Sequence, residues 1–331
     1  MSGVRRLRAW WAARRRFEFC VTVAMVVALT GFCGALVMLP NSALPKPHAA
    51  QATAEVAGQA PASDPRLAEV RRSVEPFGPI VARQVPTGDG QQSLVVGHPA
   101  QRVEIDVLER ELGAATAAVS EVWGKDWAQA TTVVVASSPS EFAGLVHAGN
   151  MSTEVAAASV ADPFAPGTQP TGQRIVFSPD AGRRLDPEGL RTLLRHELTH
   201  IATRAETRDG APLWMLEGFA DYTAHRGQGH RFADIAPTLT AQVTLRNLPG
   251  DLPADAEFSG RNAAATYEQA WSVCAFIADK YDQPRLVELY RQIAAARQSP
   301  ATEDQILQNV LGTTRTDFIA NWRDWLSTQT A

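Results

Sequence analysis

The stretch from Asp186 to Arg204 constrains the fold of this chain more than any other, because it specifies a helix with a defined start, one buried face and a polar cluster upon it. Asp186 followed by Pro187 reads as an N-cap residue and a proline at the first helical position, where a missing N–H costs nothing. Leu190, Leu193, Leu194, Leu198 and Ile201 then recur at spacings of three and four, which makes one apolar stripe over about 187–204. Within it stands His196-Glu197-Leu198-Thr199-His200. Side chains four apart on a helix lie one above the other, so both imidazoles reach a single point, while Glu197 is turned about 100° round the axis. Two neutral imidazoles with a glutamate between them suit a divalent metal and a base for water at that metal.

A third ligand decides whether the pair is a site or an accident. A metzincin would place glycine three and histidine six residues beyond the second histidine, but Thr203 and Glu206 stand there. The next apolar segment, a predicted helix from Pro212 to about Ala224, offers Glu217 instead, with Asp221 four residues on and therefore on the same face. One helix presents two histidines and the next a carboxylate with a second acid behind it. His196, His200 and Glu217 are the expected metal ligands, Zn2+ the expected ion and Glu197 the expected base, with one coordination position left open as a reactive site needs. His225 and His230 flank a glycine-rich loop (HRGQGH) and offer further donors, although loop histidines of this kind are most often solvated. His48, His98 and His147 carry no spacing signal.

Charge and hydropathy bear on topology. Six arginines and one glutamate precede Pro40, a net +5 that leaves −9 for the remainder of a chain whose net charge is −4. An acidic body offers no footprint for nucleic acid. Phe19 to Leu39 is 21 residues without a charge, about 30 Å as a helix, which matches a bilayer core. The expected organisation is a basic cytoplasmic tail (1–18), a transmembrane helix (19–39), a Pro/Ala-rich linker (40–65) and one folded domain (66–331), with the basic flank setting the N-terminus in the cytoplasm. A cleaved signal peptide, with the body secreted, is the alternative; its apolar region is ordinarily shorter. The bulky Phe32 before Cys33 argues against lipoprotein processing. Cys274 is the one cysteine outside the apolar run, which leaves no disulfide for the body and reads as a small buried hydrophobe. Nothing in the sequence specifies an oligomeric state.

Short β-branched runs at Ser93 to Gly97, Thr131 to Ser137, Val155 to Asp162 and Gln173 to Ser178 predict strands, and Val103 to Trp123 a helix. Beyond Asp186 the pattern is helical, with further helices over about 264–281, 284–297, 302–311 and 315–327, the third opened by a Thr302/Gln305 capping box. The expected fold class is α+β, a small-sheet mixed half followed by a helical half.

These motifs resemble the gluzincin clan of metallopeptidases, and within it the peptidase MA-like family of exported bacterial proteins, whose pattern is a histidine pair on one helix and W-x-x-E-G-x-A on the next, here Trp214 to Ala220. The likeness extends more loosely over about 93–327, through Trp123-Gly124-Lys125-Asp126-Trp127 and Tyr267-Glu268-Gln269-Ala270-Trp271. It implies a zincin-like fold and a membrane-anchored zinc peptidase acting on peptide or protein substrates. It assigns Asp221 to orienting a ligand histidine and makes Tyr267 a candidate donor to the reaction's oxyanion. It also implies that the strand before the histidine helix, Gln173 to Ser178, is an edge along which an extended peptide lies, which favours an endopeptidase. A non-catalytic binding or sensory module on the same scaffold is the rival reading, disfavoured because His196, Glu197, His200 and Glu217 are all present. An intramembrane protease is excluded by Arg191, Arg195 and Arg204 on the histidine helix.

Overall fold

The structure is a computed structural model that describes residues 22–25, 58–60, 63–147, 155–164, 168–259 and 261–329. The basic tail 1–18, and most of the segments 19–39 and 40–65, lie outside the described residues.

A mixed sheet forms the N-terminal half. Its strands are β1 (Thr22–Met25), β2 (Gly58–Gln59), β3 (Val81–Thr87), β4 (Gln91–Gly97), β5 (Thr132–Val135), β6 (Val155–Val160) and β7 (Arg174–Phe177), in the order β1-β6-β7-β5-β4-β3-β2. Strands β4, β5 and β7 run parallel, while β3 and β6 flank them antiparallel. The helices are α1 (Pro65–Val74), α2 (Arg102–Trp123), α3 (Pro139–Leu145), α4 (Ala181–Arg184), α5 (Pro187–Thr203), α6 (Leu213–His225), α7 (Phe232–Ile235), α8 (Pro237–Thr244), α9 (Ala263–Tyr281), α10 (Gln283–Ile293), α11 (Pro300–Leu311) and α12 (Arg315–Gln329).

Strand residues alternate between two cores, as the period of two requires. Val95, Val133, Ile175 and Phe177 face the larger core, which α2, α5 and the C-terminal helices share. Leu94, Val96, Val134 and Val176 face a smaller one closed by α1 and α3. The central strands are thus covered on both sides, which accounts for their uninterrupted apolar runs.

Most predicted elements recur with ends shifted by a few residues. The α5 cap forms as read, with Gly189 N donating to Asp186 Oδ1 at 2.7 Å. The α11 cap is Ser299, whose hydroxyl accepts from Thr302 N ahead of Pro300, so Thr302 lies inside the helix rather than opening it. Strand β3 and helix α1 were not predicted: Pro86 in one and the charged run of the other hid periodicities that burial of Val85 and of Leu67, Val70 and Val74 reveals.

Two expectations about the sheet are corrected. Gln173 to Ser178 is no edge, because β7 lies between β5 and β6. The chain lays β6 along the side of β7 away from β5, and β6 in turn pairs with β1 on its far side. Of the apolar run 19–39, Thr22–Met25 is described, and it is extended and paired antiparallel with β6 where a helix was expected. An uncharged β-branched segment can satisfy its backbone groups within a helix in lipid or along a free sheet edge, and hydropathy alone does not separate the two. Among the described residues no helix is long and apolar enough to cross a membrane.

The second half of the fold turns on the crossing of α6 and α9. A Cβ built on Gly218 would fall 2.3 Å from Ala270 O and 3.1 Å from Cys274 Sγ, so the two helices approach as closely as they do because residue 218 has no side chain. Cys274 is fully buried there, and burial pushes its thiol pKa well up, consistent with an inert packing role. Gly218→Ala should therefore force α6 off α9 and destabilise the chain by about 1–3 kcal/mol. A lowered urea midpoint with an unchanged slope would bear this out, and an unaltered midpoint would refute the close-approach account.

Candidate metal centre

Helices α5 and α6 bring His196, His200 and Glu217 together. Their ligand atoms lie within 4.8 Å of one another, and this is the one group of three or more potential ligands found among the described residues. His196 Nε2 and His200 Nε2 are 3.0 Å apart, and Glu217 Oε2 lies 3.3 Å from the first and 3.7 Å from the second. Donor atoms about 2.0–2.1 Å from a tetrahedral zinc stand about 3.3 Å from each other, so this triangle has the size of one face of such a coordination shell.

The electrostatics point the same way. His196, Glu197, His200, Glu217 and Asp221 are all less than a tenth exposed. Three carboxylates and two imidazoles removed from water carry an excess of negative charge, and a buried charge costs several kcal/mol unless it is compensated. Glu217 Oε2 and both oxygens of Glu197 are buried without a well-formed hydrogen bond. A divalent cation at the triangle supplies the compensation that the protein groups lack, and the nitrogen and oxygen donor set suits zinc.

Asp221 Oδ1 lies 2.7 Å from His196 Nδ1, the ring nitrogen turned away from the triangle. This holds a proton on Nδ1, so Nε2, which faces Glu217 and His200, is the nitrogen that would ligate a metal. Burial alone would depress the His196 pKa, but the carboxylates of Asp221 and Glu217 outweigh it and raise it well above the usual imidazole value. For Glu217, burial works upward, yet the His200 and His196 imidazoles prevail and hold its pKa at about 2. Glu197, one residue along α5, is fully buried beside the cluster; burial raises its pKa against the pull of His196 and His200. A carboxylate with elevated proton affinity and no fixed partner is equipped to take a proton.

Aromatic and polar contacts brace the pair of helices from outside. Trp123, Phe219 and Tyr290 stack on one another with centroids 4.7–5.8 Å apart, and Tyr290 Oη lies 3.0 Å from Thr203 Oγ1 at the end of α5. Trp214 anchors the start of α6 by donating from Nε1 to the buried Glu303 at 2.9 Å. Tyr267 is buried on α9 with its ring edge-on to Phe258. It precedes Ala270 by three and Cys274 by seven residues and so shares the face of α9 turned to α6.

His225 ends α6 half-buried, and His230 returns from the glycine loop to face it. Two groups near Glu197 were not singled out from the sequence. Ser159 on β6 places its hydroxyl beside Glu197, and Arg204 Nη2 donates to both Ser159 O at 3.0 Å and Ser159 Oγ at 2.9 Å. Their signal is contact between segments 45 residues apart, and no local pattern encodes it. His98, also without a spacing signal, is a buried partner of Glu141 at 2.9 Å and lies in the sheet half.

No protein-family model matches the chain, and no curated protein matches it. Among solved structures, it is similar to the M1 zinc metallopeptidase from Deinococcus radiodurans at 17% identity and a TM-score of 0.46, covering 77% of this chain and 53% of that one. A mutant of that enzyme bound to a Tyr-Ser-Ala substrate matches at 16% identity and a TM-score of 0.47, over the same shares. A two-domain M1 zinc metallopeptidase mutant bound to L-arginine matches at 16% and 0.45, covering 75% and 52%. The chain spans about half the length of these structures, and its chemistry rests on the atoms of its own site.

Asp221→Asn preserves shape but removes the negative partner of His196, and zinc affinity should fall about 10- to 100-fold with the fold intact. Competition against a chromophoric chelator measures this, and an unchanged affinity would remove Asp221 from the site.

Proposed function

We propose that this chain is a zinc-dependent peptidase in which His196, His200 and Glu217 hold the metal and Glu197 is the general base. The observation that carries the reading is the buried triangle of three donor atoms with Glu197 unpartnered beside it. Bound zinc supplies a Lewis acid that polarises a carbonyl and lowers the pKa of water. Glu197, adjacent in sequence to His196 but turned round the helix from it, receives the proton of the attacking water. Its raised proton affinity lets it hold that proton and pass it to the departing amine. Asp221 keeps His196 in the tautomer that presents Nε2. Tyr267, on the α9 face turned to α6, is the proposed donor to the oxyanion that develops at the carbonyl.

The proposed substrate is a peptide laid against β6. Ser178 N donates to Ala156 O, so Ala157 and Ser159 turn their backbone groups away from β7, and Thr22–Met25 pairs along this side in antiparallel register. An extended peptide taking the place of Thr22–Met25 there would run past Glu197 through the neighbourhood of Ser159 in both directions, which favours internal cleavage.

Glu197→Gln should retain zinc and lose turnover by several orders of magnitude, whereas His196→Ala should lose both. Incubation with a random peptide library, followed by mass spectrometry of the fragments and metal analysis of each variant, measures all three quantities. Full activity in Glu197→Gln would remove it as base. Zinc bound by the wild-type chain without any cleavage would instead indicate a binding or sensory module.

We further propose a second state in which the run 19–39, instead of pairing with β6 through Thr22–Met25, holds the catalytic body on the outer side of a membrane and leaves that side of β6 free. Its lack of charge and the arginines before it support this placement. Expressed in bacteria, the full chain should sediment with membranes, resist carbonate extraction and be digested by external protease in intact spheroplasts. Recovery of the full chain in the cytosolic fraction would refute the anchor, and release of a shortened body would identify a cleaved signal instead.

A further inference from the structure

We propose that His225 and His230 form a second site for an exchangeable divalent transition-metal ion such as zinc, separate from the His196, His200 and Glu217 triangle. The two rings face each other through Nδ1, 3.5 Å apart. An N–H···N hydrogen bond between them would be long, since such bonds centre on about 2.9–3.0 Å. Two nitrogens bound to one tetrahedral ion stand about 3.3 Å apart, close to the separation present here.

The rest of the arrangement prepares the nitrogens for a metal. His230 Nε2 lies 2.5 Å from Glu188 Oε1 in the first turn of α5. A proton held on Nε2 by that carboxylate leaves the Nδ1 lone pair directed at His225, the device that Asp221 applies to His196. Burial depresses the His225 pKa to about 4, against the opposing pull of Asp221, so this imidazole is neutral at physiological pH and free to ligate. Its ring is held edge-on by Trp271, centroids 6.5 Å apart, and Trp271 in turn packs on Phe232.

The loop between the histidines is built to bring them together. Gly227 and Gly229 adopt φ of +73° and +77°, left-handed conformations that other residues resist, and they fold the chain back within five residues. The Gln228 amide donates to Ala224 O and to Thr192 Oγ1, which fastens the loop to both α6 and α5. The side chains of His230 and Glu188 are 24% and 55% exposed, so an ion enters from solvent without any rearrangement. With two protein donors and solvent completing the shell, the ion binds more weakly than in a three-ligand centre and exchanges. Bound, it would join the end of α6 to the start of α5, one helical turn beyond Asp221.

The inference stands on this geometry and not on the reading of the first site. Equilibrium dialysis of the full chain against zinc, with metal counted by mass spectrometry, should give two ions per wild-type chain. His230→Ala and His225→Asn should each give one, as should the His196→Ala/Glu217→Gln double variant, and His230→Ala added to that double variant should give none. Glu188→Gln should keep the second ion at about ten-fold weaker affinity. In the wild-type chain, a second equivalent of zinc should slow hydrogen exchange in residues 226–231, a readout that needs no substitution. A zinc count that His230→Ala and His225→Asn leave unchanged, or no change in exchange at 226–231, overturns the proposal. If the triangle were not a zinc site, the double variant would leave the count unchanged while His230→Ala still lowered it by one, so the two failures are distinguishable.

Discussion

The fold is organised around an unbalanced buried charge. His196, His200, Glu197, Glu217 and Asp221 are withdrawn from water at the junction of α5 and α6, and among them carboxylates outnumber imidazoles. Such a cluster is tenable only when its geometry is held tightly enough for a cation to repay the desolvation. The contact between Asp221 and His196 aims one ligand, and the helix repeat aligns the second. The close approach of α6 to α9 at Gly218 sets where Glu217 stands relative to both. The aromatic group of Trp123, Phe219 and Tyr290 keeps α2, α5, α6 and α10 from shifting against each other.

The sheet contributes the other wall. Strand β6, paired with β7 on one side and with Thr22–Met25 on the other, carries Ser159 beside Glu197. Arg204, two turns after Glu197 on the same face of the chain, binds the outward carbonyl of Ser159 and so ties the end of the metal helix to that strand. Glu197, β6 and the His196, His200 and Glu217 triangle are thereby set in a common frame, although they come from segments far apart in sequence.

How much of this was legible depended on the range of the interaction. The α5 helix, its Asp186 cap and its ligand pair are local, with every relevant contact within four residues, and they were readable directly. Glu217 and Asp221 were readable because their own four-residue spacing placed them on one face of a second helix. Helix α1 and strand β3 escaped notice because their burial comes from packing across the sheet. Pro86 and the arginines of α1 masked that pattern.

The sequence by itself determined which groups are available: two histidines and a glutamate in helical phase, a second pair of acids in phase, and a histidine at each end of a glycine loop. Periodicity settles such matters, since a helix fixes the relation of residues three and four apart. Only the tertiary structure decided that Glu217 meets the histidine pair and that β7 lies inside the sheet with β6 between it and β1. It also decided that His225 and His230 turn the same nitrogen toward each other. Those facts depend on strand order and helix crossing, which arise from long-range burial of apolar surface and leave no mark in any single stretch of sequence.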